Sequence, residues 1–97
     1  MSTVPYRPAR GEGQPASPAL SRMMLGRALR VLREQAGISP ERAGEAIQVT
    51  VTGIGALERG RRPGLRLRDV ADLCALYGVA DHFQRVTLLS LADLARH

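Results

Sequence analysis

The stretch GISPERAGEAIQVTVTGIGALERG, residues 37–60, decides the fold of this chain. Ser39 and Pro40 suit the N-cap and the first turn of one short helix. Thr50 suits the N-cap of a second short helix, which Gly60 ends. Two short helices joined by a turn of about three residues form the layout of a helix-turn-helix. Because helices this short are unstable alone, other helices must brace them.

Three further helices are predicted around this unit. Apolar residues recur at helical spacing both before and after it, and no strand-like alternation is present. Ser21 is the predicted N-cap of the first helix, and Gly37 is predicted to end that helix. The sequence therefore predicts an all-α, compact five-helix bundle, with helices over approximately residues 21–36, 40–47, 51–59, 67–77 and 81–95.

The composition predicts one domain preceded by a tail. The chain has 97 residues, enough for a single small domain, and 44% of them are hydrophobic. Residues 1–19 contain four prolines and two glycines and show no periodicity. We therefore predict a disordered tail over residues 1–20 and a helix-turn-helix domain over residues 21–97.

The charge distribution favours an anionic partner. The formal net charge is +5, and all 14 basic residues are arginine. Residues 1–62 contain ten Arg and five Glu, whereas residues 63–97 contain four Arg and four Asp, so the excess lies in the first two thirds. Such a distribution indicates nucleic acid or another anionic surface, and a solvated surface is the alternative.

Other functional classes find little support in the sequence. There is no run of eighteen apolar residues and no signal sequence, so we predict a cytoplasmic, nucleoid-associated protein without contact with a membrane. His82 and His97 stand alone, and no nucleophile, base or phosphate-binding glycine loop is recognisable, which predicts no metal, no cofactor and no enzyme activity. The single cysteine, Cys74, lies in an apolar helical stretch and is predicted to be a small buried hydrophobe.

Several motifs occur in a fixed order along the chain. LRVLREQAGIS, ERAGEAI, a Val-Thr turn and the pattern I-x-x-L-E-R-G are followed by the basic loop GRRPGLR. In this order they resemble the lambda-repressor-like helix-turn-helix domain of the Xre group of bacterial and phage regulators, over residues 21–94. LGRALRVLREQAG, LERGRR and RDVADLCALYGV are similar to an actinobacterial branch of that group. Members of that branch usually carry a larger C-terminal domain, so the resemblance implies either a piece of a longer protein or a stand-alone variant.

The resemblance implies that the third helix enters the major groove of double-stranded DNA. On that basis Arg59, Arg61 and Arg62 are candidate phosphate anchors, with Arg22 and Arg42 as weaker candidates. The resemblance also implies a buried ion pair between an arginine of the first helix and a glutamate of the third, at positions that match Arg33 and Glu58. The other candidate DNA contacts, which include the starts of the second and third helices, are Ser39, Thr50, Val51, Thr52 and Gly55.

The third helix nevertheless has few side chains that can read a base. Pro40 stands where related repressors have a glutamine, and Val51, Thr52 and Gly53 stand where they have Gln, Ser or Arg. None of these residues can form the paired hydrogen bonds that discriminate guanine or adenine. Three hypotheses stay open. The protein binds DNA mainly through phosphates, with glycines that allow the helix close to the groove; or it is a protein-interaction module, antitoxin-like or adaptor; or its specificity lies in the tail or a partner.

The last predicted helix contains FQRVTLLSLADLA, residues 83–95, which is apolar over more than one stripe. Val86, Leu89 and Leu94 suit one face, and Leu88 and Leu91 widen the apolar stripe. Part of the helix is predicted to pack on the first helix. The remaining apolar surface would form a homodimer interface or dock a missing C-terminal domain or protein partner. A monomer that dimerises only on DNA is equally compatible. We predict a sequence-specific, DNA-binding transcriptional regulator.

Overall fold

The computed structural model describes residues 17–62 and 65–96 of the chain. Within these two ranges there is no strand. The predicted all-α, five-helix fold is therefore confirmed. The helices are α1 (Pro18–Gln35), α2 (Pro40–Ile47), α3 (Val51–Glu58), α4 (Leu67–Leu76) and α5 (His82–Ala95).

The first helix begins one turn earlier than the sequence predicted. Ser17 is the N-cap of α1, and its hydroxyl oxygen accepts a 3.1 Å hydrogen bond from the backbone N–H of Leu20. The prediction of Ser21 as the cap was wrong: Ser21 is fully buried inside α1. A serine followed by Pro18 is the better start, since proline holds φ near its helical value at the first position. Residues 18–20 are thus helical, and the predicted disorder of residues 1–16 falls outside the described residues.

The starts of α2, α3 and α5 agree with the sequence prediction. The side-chain oxygens of Ser39, Thr50 and Asp81 accept backbone N–H groups two or three residues further on, at 2.9–3.0 Å. Each cap satisfies a donor that the helix itself leaves unpaired. At the opposite ends, Gly37 and Gly60 have φ values of +69° and +72°, which lie in the left-handed region that glycine adopts without strain.

One hydrophobic core joins all five helices. α1 packs along α5 and across α3, α2 packs on α3 and α4, and α4 packs on α5. Cys74 is 1% exposed and lies in this core as a small hydrophobe, as predicted, and burial raises the pKa of its thiol. The largest fully buried apolar side chains are Leu25, Leu29, Ile54, Leu73 and Val70.

The inward face of α5 differs from the predicted one. Leu88, Ala92 and Ala95 are buried, whereas Val86 is 45% exposed, and Leu89 is only partly buried against the core. The buried face therefore includes Leu88, from the wider part of the predicted stripe, and excludes Val86. Ala92 and Ala95, four and seven residues after Leu88, let α5 approach α1 closely. The stripe of larger side chains that includes Leu89 lies at the margin of the core.

Gly26 sets the distance between α1 and α3. A Cβ atom at this position would overlap the carbonyl oxygen of Leu57 and would lie 2.7 Å from the carbonyl oxygen of Glu58. Both obstacles are backbone atoms, which cannot move aside unless α3 moves as a whole. A Cβ atom on Gly60 would likewise lie 2.7 Å from the backbone N and Cα of Met23. The end of α3 is therefore held directly against the backbone of α1.

Candidate nucleic-acid interface

One face of α3 is open to solvent. Ile54 and Leu57 are buried against the core, while Val51 is 46% exposed and Thr52 is exposed. At about 100° per residue, Gly55 lies on the same outward side as these two residues. The start and the outer side of α3 are therefore available to a ligand, as a recognition helix requires.

The turn between α2 and α3 is tight because of Gly44. A Cβ atom on Gly44 would overlap the carbonyl oxygen of Val49, and the N–H of Val49 donates a 2.8 Å hydrogen bond to the carbonyl oxygen of Gly44. Gln48 between them adopts the left-handed conformation, with φ 58° and ψ 49°. The sequence prediction missed both roles. The available signal was a glycine inside the helical stretch ERAGEAI, where it costs about 1 kcal/mol relative to alanine.

The first residues of α2 and α3 present polar groups at the surface. Ser39 and Thr50 are both exposed, and their hydroxyl oxygens accept the cap hydrogen bonds described above. Because a hydroxyl group has one donor and two acceptor positions, each O–H stays free to donate to a phosphate oxygen. The positive ends of the two helix dipoles lie at the same residues.

A buried ion pair fixes α3 to α1. The Nε atom of Arg33 lies 2.7 Å from Oε2 of Glu58, and Nη2 of Arg33 donates a 3.2 Å hydrogen bond to Oε1. Nη1 of Arg33 donates a third bond, of 2.9 Å, to the carbonyl oxygen of Ile38 at the start of the loop before α2. The bond to Glu58 is the main cause that raises the pKa of Arg33. One guanidinium therefore links α1, the helix-turn-helix entry and the end of α3.

Tyr77, which follows α4, lies beside this pair. Its side chain is buried, and that burial raises the pKa of Tyr77 to about 12, with the Glu58 carboxylate adding to the rise. Arg33 acts in the opposite direction on the pKa of Tyr77. The phenol therefore stays neutral near pH 7 and serves as packing for the ion pair.

Three arginines follow the last turn of α3. Arg59 and Arg61 are exposed, and Arg62 is half-buried. Among residues 17–62 and 65–96, the ion pairs engage other arginines, so these three guanidinium groups have no carboxylate partner there. The three residues thus carry positive charge without a carboxylate partner in these ranges, and their backbone follows the C-terminal end of α3.

The two glycines of α3 make room for neighbouring side chains. A Cβ atom on Gly53 would overlap Cγ1 of Val49 and would lie 3.3 Å from Nη1 of Arg62. A Cβ atom on Gly55 would lie 3.0 Å from Nη1 of Arg59. Glycine at these two positions therefore has a structural role that the sequence prediction did not contain. The absence of a side chain leaves room along the helix for Val49 and for two guanidinium groups.

The weaker phosphate candidates have partners within the fold. Nη1 of Arg22 donates a 3.4 Å hydrogen bond to the carbonyl oxygen of Ala95, at the negative end of the α5 dipole. Arg42 lies 3.9 Å from the Glu45 carboxylate, one turn further along α2. These contacts leave both arginines less available to an anion than the cluster after α3.

A shallow groove beside the turn carries the opposite charge. It contains two carboxylates and no basic residue, and it runs along one side of the start of α3. Arg42 lies 3.9 Å from the Glu45 carboxylate, so the negative charge of the groove is partly compensated. The residues that line the groove are Glu41, Gly44, Glu45, Gln48, Val49, Thr50 and Val51.

No helix within the described ranges has the length and apolar character that a membrane crossing requires. In that part of the chain, histidine, cysteine and carboxylate side chains also form no group of three at metal-binding distance.

Comparison with known proteins identifies the same region. Residues 24–86, more than half of the chain, match the model of a family described as a helix-turn-helix domain. The match spans α1 to the first residues of α5, and it is consistent with the Xre-like domain predicted from the sequence. No curated protein matches the chain significantly. The actinobacterial branch stays a prediction.

Proposed function

The chain belongs to the helix-turn-helix family that its residues 24–86 match, and from this premise we propose that it is a sequence-specific, double-stranded-DNA-binding transcriptional regulator. The observation that carries the proposal is the position of the arginine cluster. Arg59, Arg61 and Arg62 follow a solvent-open α3 and have no carboxylate partner among the described residues. A recognition helix that ends in such a cluster fits the major groove between two phosphate backbones.

In the proposed complex, α3 enters the major groove with its N-terminal turn first. Val51 supplies an apolar surface for a thymine methyl group, and the hydroxyls of Thr50 and Thr52 supply single hydrogen bonds. Arg61 and Arg62 contact the phosphates beside the end of α3, while the start of α2 at Ser39 contacts phosphates through backbone N–H groups. The ion pair of Arg33 and Glu58 holds α3 at a fixed angle during this contact.

The proposed regulator acts as a homodimer through α5. Phe83 is 81% exposed and Val86 is 45% exposed, although both belong to the apolar part of this helix. Two-fold dimers of such domains bind half-sites about one DNA turn apart, near 34–36 Å. Sedimentation equilibrium of the protein and of Phe83→Ser tests this arrangement. If the dimer forms through α5, the dissociation constant of the dimer should be higher in the variant.

One observation favours a second candidate function. The groove with Glu41 and Glu45 lies next to Val51, on the helix proposed to read DNA. A basic peptide or protein would complement this groove, so an antitoxin-like or adaptor module that binds a protein is the alternative. Direct binding to a DNA duplex separates the two functions, because an acidic groove that binds a basic partner does not attract a polyanion. Binding to phosphates also weakens by about 0.9 logarithmic units in affinity per contact for each tenfold rise in salt.

The test is fluorescence anisotropy of the protein with a library of random-sequence duplexes at two salt concentrations, followed by repeated selection. Salt-sensitive binding that enriches one sequence is the expected result. Salt-sensitive binding without enrichment would contradict sequence-specific regulation and leave a general DNA-binding protein. If a folded sample does not bind at low salt, DNA is not the partner, and the protein-interaction alternative takes its place.

A further inference from the structure

Gly55 and Arg59 occupy adjacent positions on the outer side of α3, one helical turn apart. Ile54 and Leu57 face the core. At about 100° per residue, Thr52 and Arg59 lie within 20° of one another and nearly opposite those two residues. Arg59 is the C-cap of α3, and its backbone position thus continues the face that would meet the base edges.

The side chain of Arg59 extends back along the helix and covers Gly55. An ideal Cβ atom at Gly55 would lie 3.0 Å from Nη1, 3.4 Å from Nη2 and 3.6 Å from Cζ of Arg59. Three atoms of the guanidinium therefore lie against position 55, and Nη1 would have to shift by a few tenths of an ångström to admit a Cβ atom there. Long helical side chains point towards the N-terminus, so the residue four positions earlier decides whether this conformation has room.

The Arg59 guanidinium has its donors available. The residue is exposed, and no carboxylate in residues 17–62 or 65–96 forms an ion pair with it. By contrast, Arg33 uses all three of its guanidinium nitrogens within the fold. A planar group with five N–H donors and no internal partner fits a flat, paired acceptor.

We propose that Arg59, seated on Gly55, is the base-reading residue of α3 and that it donates two hydrogen bonds to O6 and N7 of a guanine. The inference rests on the proposed DNA-binding function and changes the role of Arg59 from phosphate anchor to specificity-determining residue. It also accounts for the scarcity of readers at Val51, Thr52 and Gly53. The bidentate donor comes from the end of the helix, and glycine at position 55 leaves the middle of the helix open for it.

The experiment compares two variants that remove the same charge. The protein, Arg59→Ala and Arg61→Ala are each used to select duplexes from a random-sequence library at fixed salt. We expect the unaltered protein to select a site with an invariant guanine, and Arg59→Ala to lose that preference by roughly 5- to 150-fold. Arg61→Ala should bind more weakly and keep the same preference. Both residues are exposed, and circular dichroism verifies that the variants fold.

An atomic substitution in the DNA isolates the proposed hydrogen bond. In the selected duplex the guanine is replaced by 7-deazaguanine, which lacks the N7 acceptor and still pairs with cytosine. The unaltered protein should lose affinity for this duplex, whereas Arg59→Ala should bind both duplexes equally. Gly55→Ala keeps every charge and adds a methyl group 3.0 Å from Nη1 of Arg59, which displaces the guanidinium, so its guanine preference should fall, though by less than in Arg59→Ala.

The outcomes separate this inference from the proposed function. If Arg59→Ala weakens binding to all sequences alike and keeps the guanine, Arg59 is a phosphate contact and the inference is overturned, while DNA binding stands. If the unaltered protein selects no sequence, the proposed function fails and the inference fails with it. Equal loss on 7-deazaguanine in the protein and in Arg59→Ala would also overturn it, because the N7 contact would then belong to another residue.

Discussion

Arg33 of α1 holds Glu58 of α3 through two hydrogen bonds, of 2.7 and 3.2 Å, between side chains that are only 11% and 8% exposed. The same guanidinium also bonds the carbonyl oxygen of Ile38, before α2. Three segments thus meet at one charged group. The pair contributes chiefly by orientation, since desolvation of two buried charges offsets most of their attraction.

Removal of either partner alone should destabilise the fold strongly. Arg33→Met or Glu58→Leu would leave one buried charge without compensation, which costs about 3–5 kcal/mol. The double variant should cost much less than the sum of the two, because no charge is then buried. Urea denaturation of the four proteins measures these free energies of unfolding. Additive losses would show that the two residues act independently and would contradict a buried pair.

A methyl group at Gly26 should weaken the contact between α1 and α3. Gly26→Ala improves helix propensity by about 1 kcal/mol. The new Cβ atom, however, would overlap the Leu57 carbonyl oxygen and meet that of Glu58, and overpacking of this kind costs about 1–3 kcal/mol or more when backbone must move. Net destabilisation is therefore expected in thermal unfolding. A higher melting temperature in the variant would mean that α1 and α3 can move apart without a loss of stability, and it would contradict the prediction.

Much of this architecture could be predicted from local sequence. Ser39, Thr50 and Asp81 identify the starts of three helices, because a cap is a local hydrogen bond between near neighbours. Ser21 misled the prediction of the first helix, since Ser17 with Pro18 provides a cap one turn earlier. The face of α5 was also misplaced, because bulky residues on two stripes hide the alanines that pack against α1.

The glycines of the candidate site were harder to predict. Gly26 and Gly44 are explained only by backbone atoms from other segments, which a pattern of spacing within one helix does not contain. The sequence suggested that Gly55 allows a close approach to the groove, and the position of the Arg59 guanidinium beside it adds a second role. The resemblance named Arg33 and Glu58 as a pair, but the third bond, to Ile38, depends on how the loop before α2 folds and could not be predicted.

Val51 should influence which sequence is preferred more than how tightly DNA is bound. Its side chain is 46% exposed at the first turn of α3, where it can touch a thymine methyl group. Val51→Ala removes that apolar surface and no charge. Selection from the random-sequence library should therefore show a relaxed preference at one base pair, with similar affinity for the remaining site. An unaltered preference would indicate that Val51 stays outside the groove.

Alkaline pH should destabilise the protein through Tyr77. The pKa of Tyr77 is raised from 10.0 to about 12 in the fold, so the folded state retains a proton that the unfolded state releases. The contribution of Tyr77 to the free energy of unfolding is fully present below pH 10. It is lost as the pH rises towards 12, by about 2–3 kcal/mol for this shift. Thermal unfolding of the protein and of Tyr77→Phe across this range measures the effect. Tyr77→Phe should therefore lose less stability at alkaline pH, and only through Cys74, whose pKa is also raised by burial. Identical pH profiles of the two proteins would contradict the prediction.

The arginine pair after Gly60 should control the salt dependence of DNA binding. Arg61→Ala with Arg62→Ala removes two phosphate contacts, so affinity should fall for all sequences alike and the salt slope should flatten by about 2. The matched control is Arg27→Ala with Arg30→Ala, which removes the same charge from two exposed positions on α1. Anisotropy titrations at several salt concentrations compare the slopes.

A general effect of net charge would change the salt slope of both double variants equally. Only a local contact at the end of α3 would flatten the slope of the Arg61 and Arg62 variant alone. If the slope of the Arg61 and Arg62 variant equals that of the unaltered protein, this loop does not contact phosphate, and the positive charge there serves another purpose.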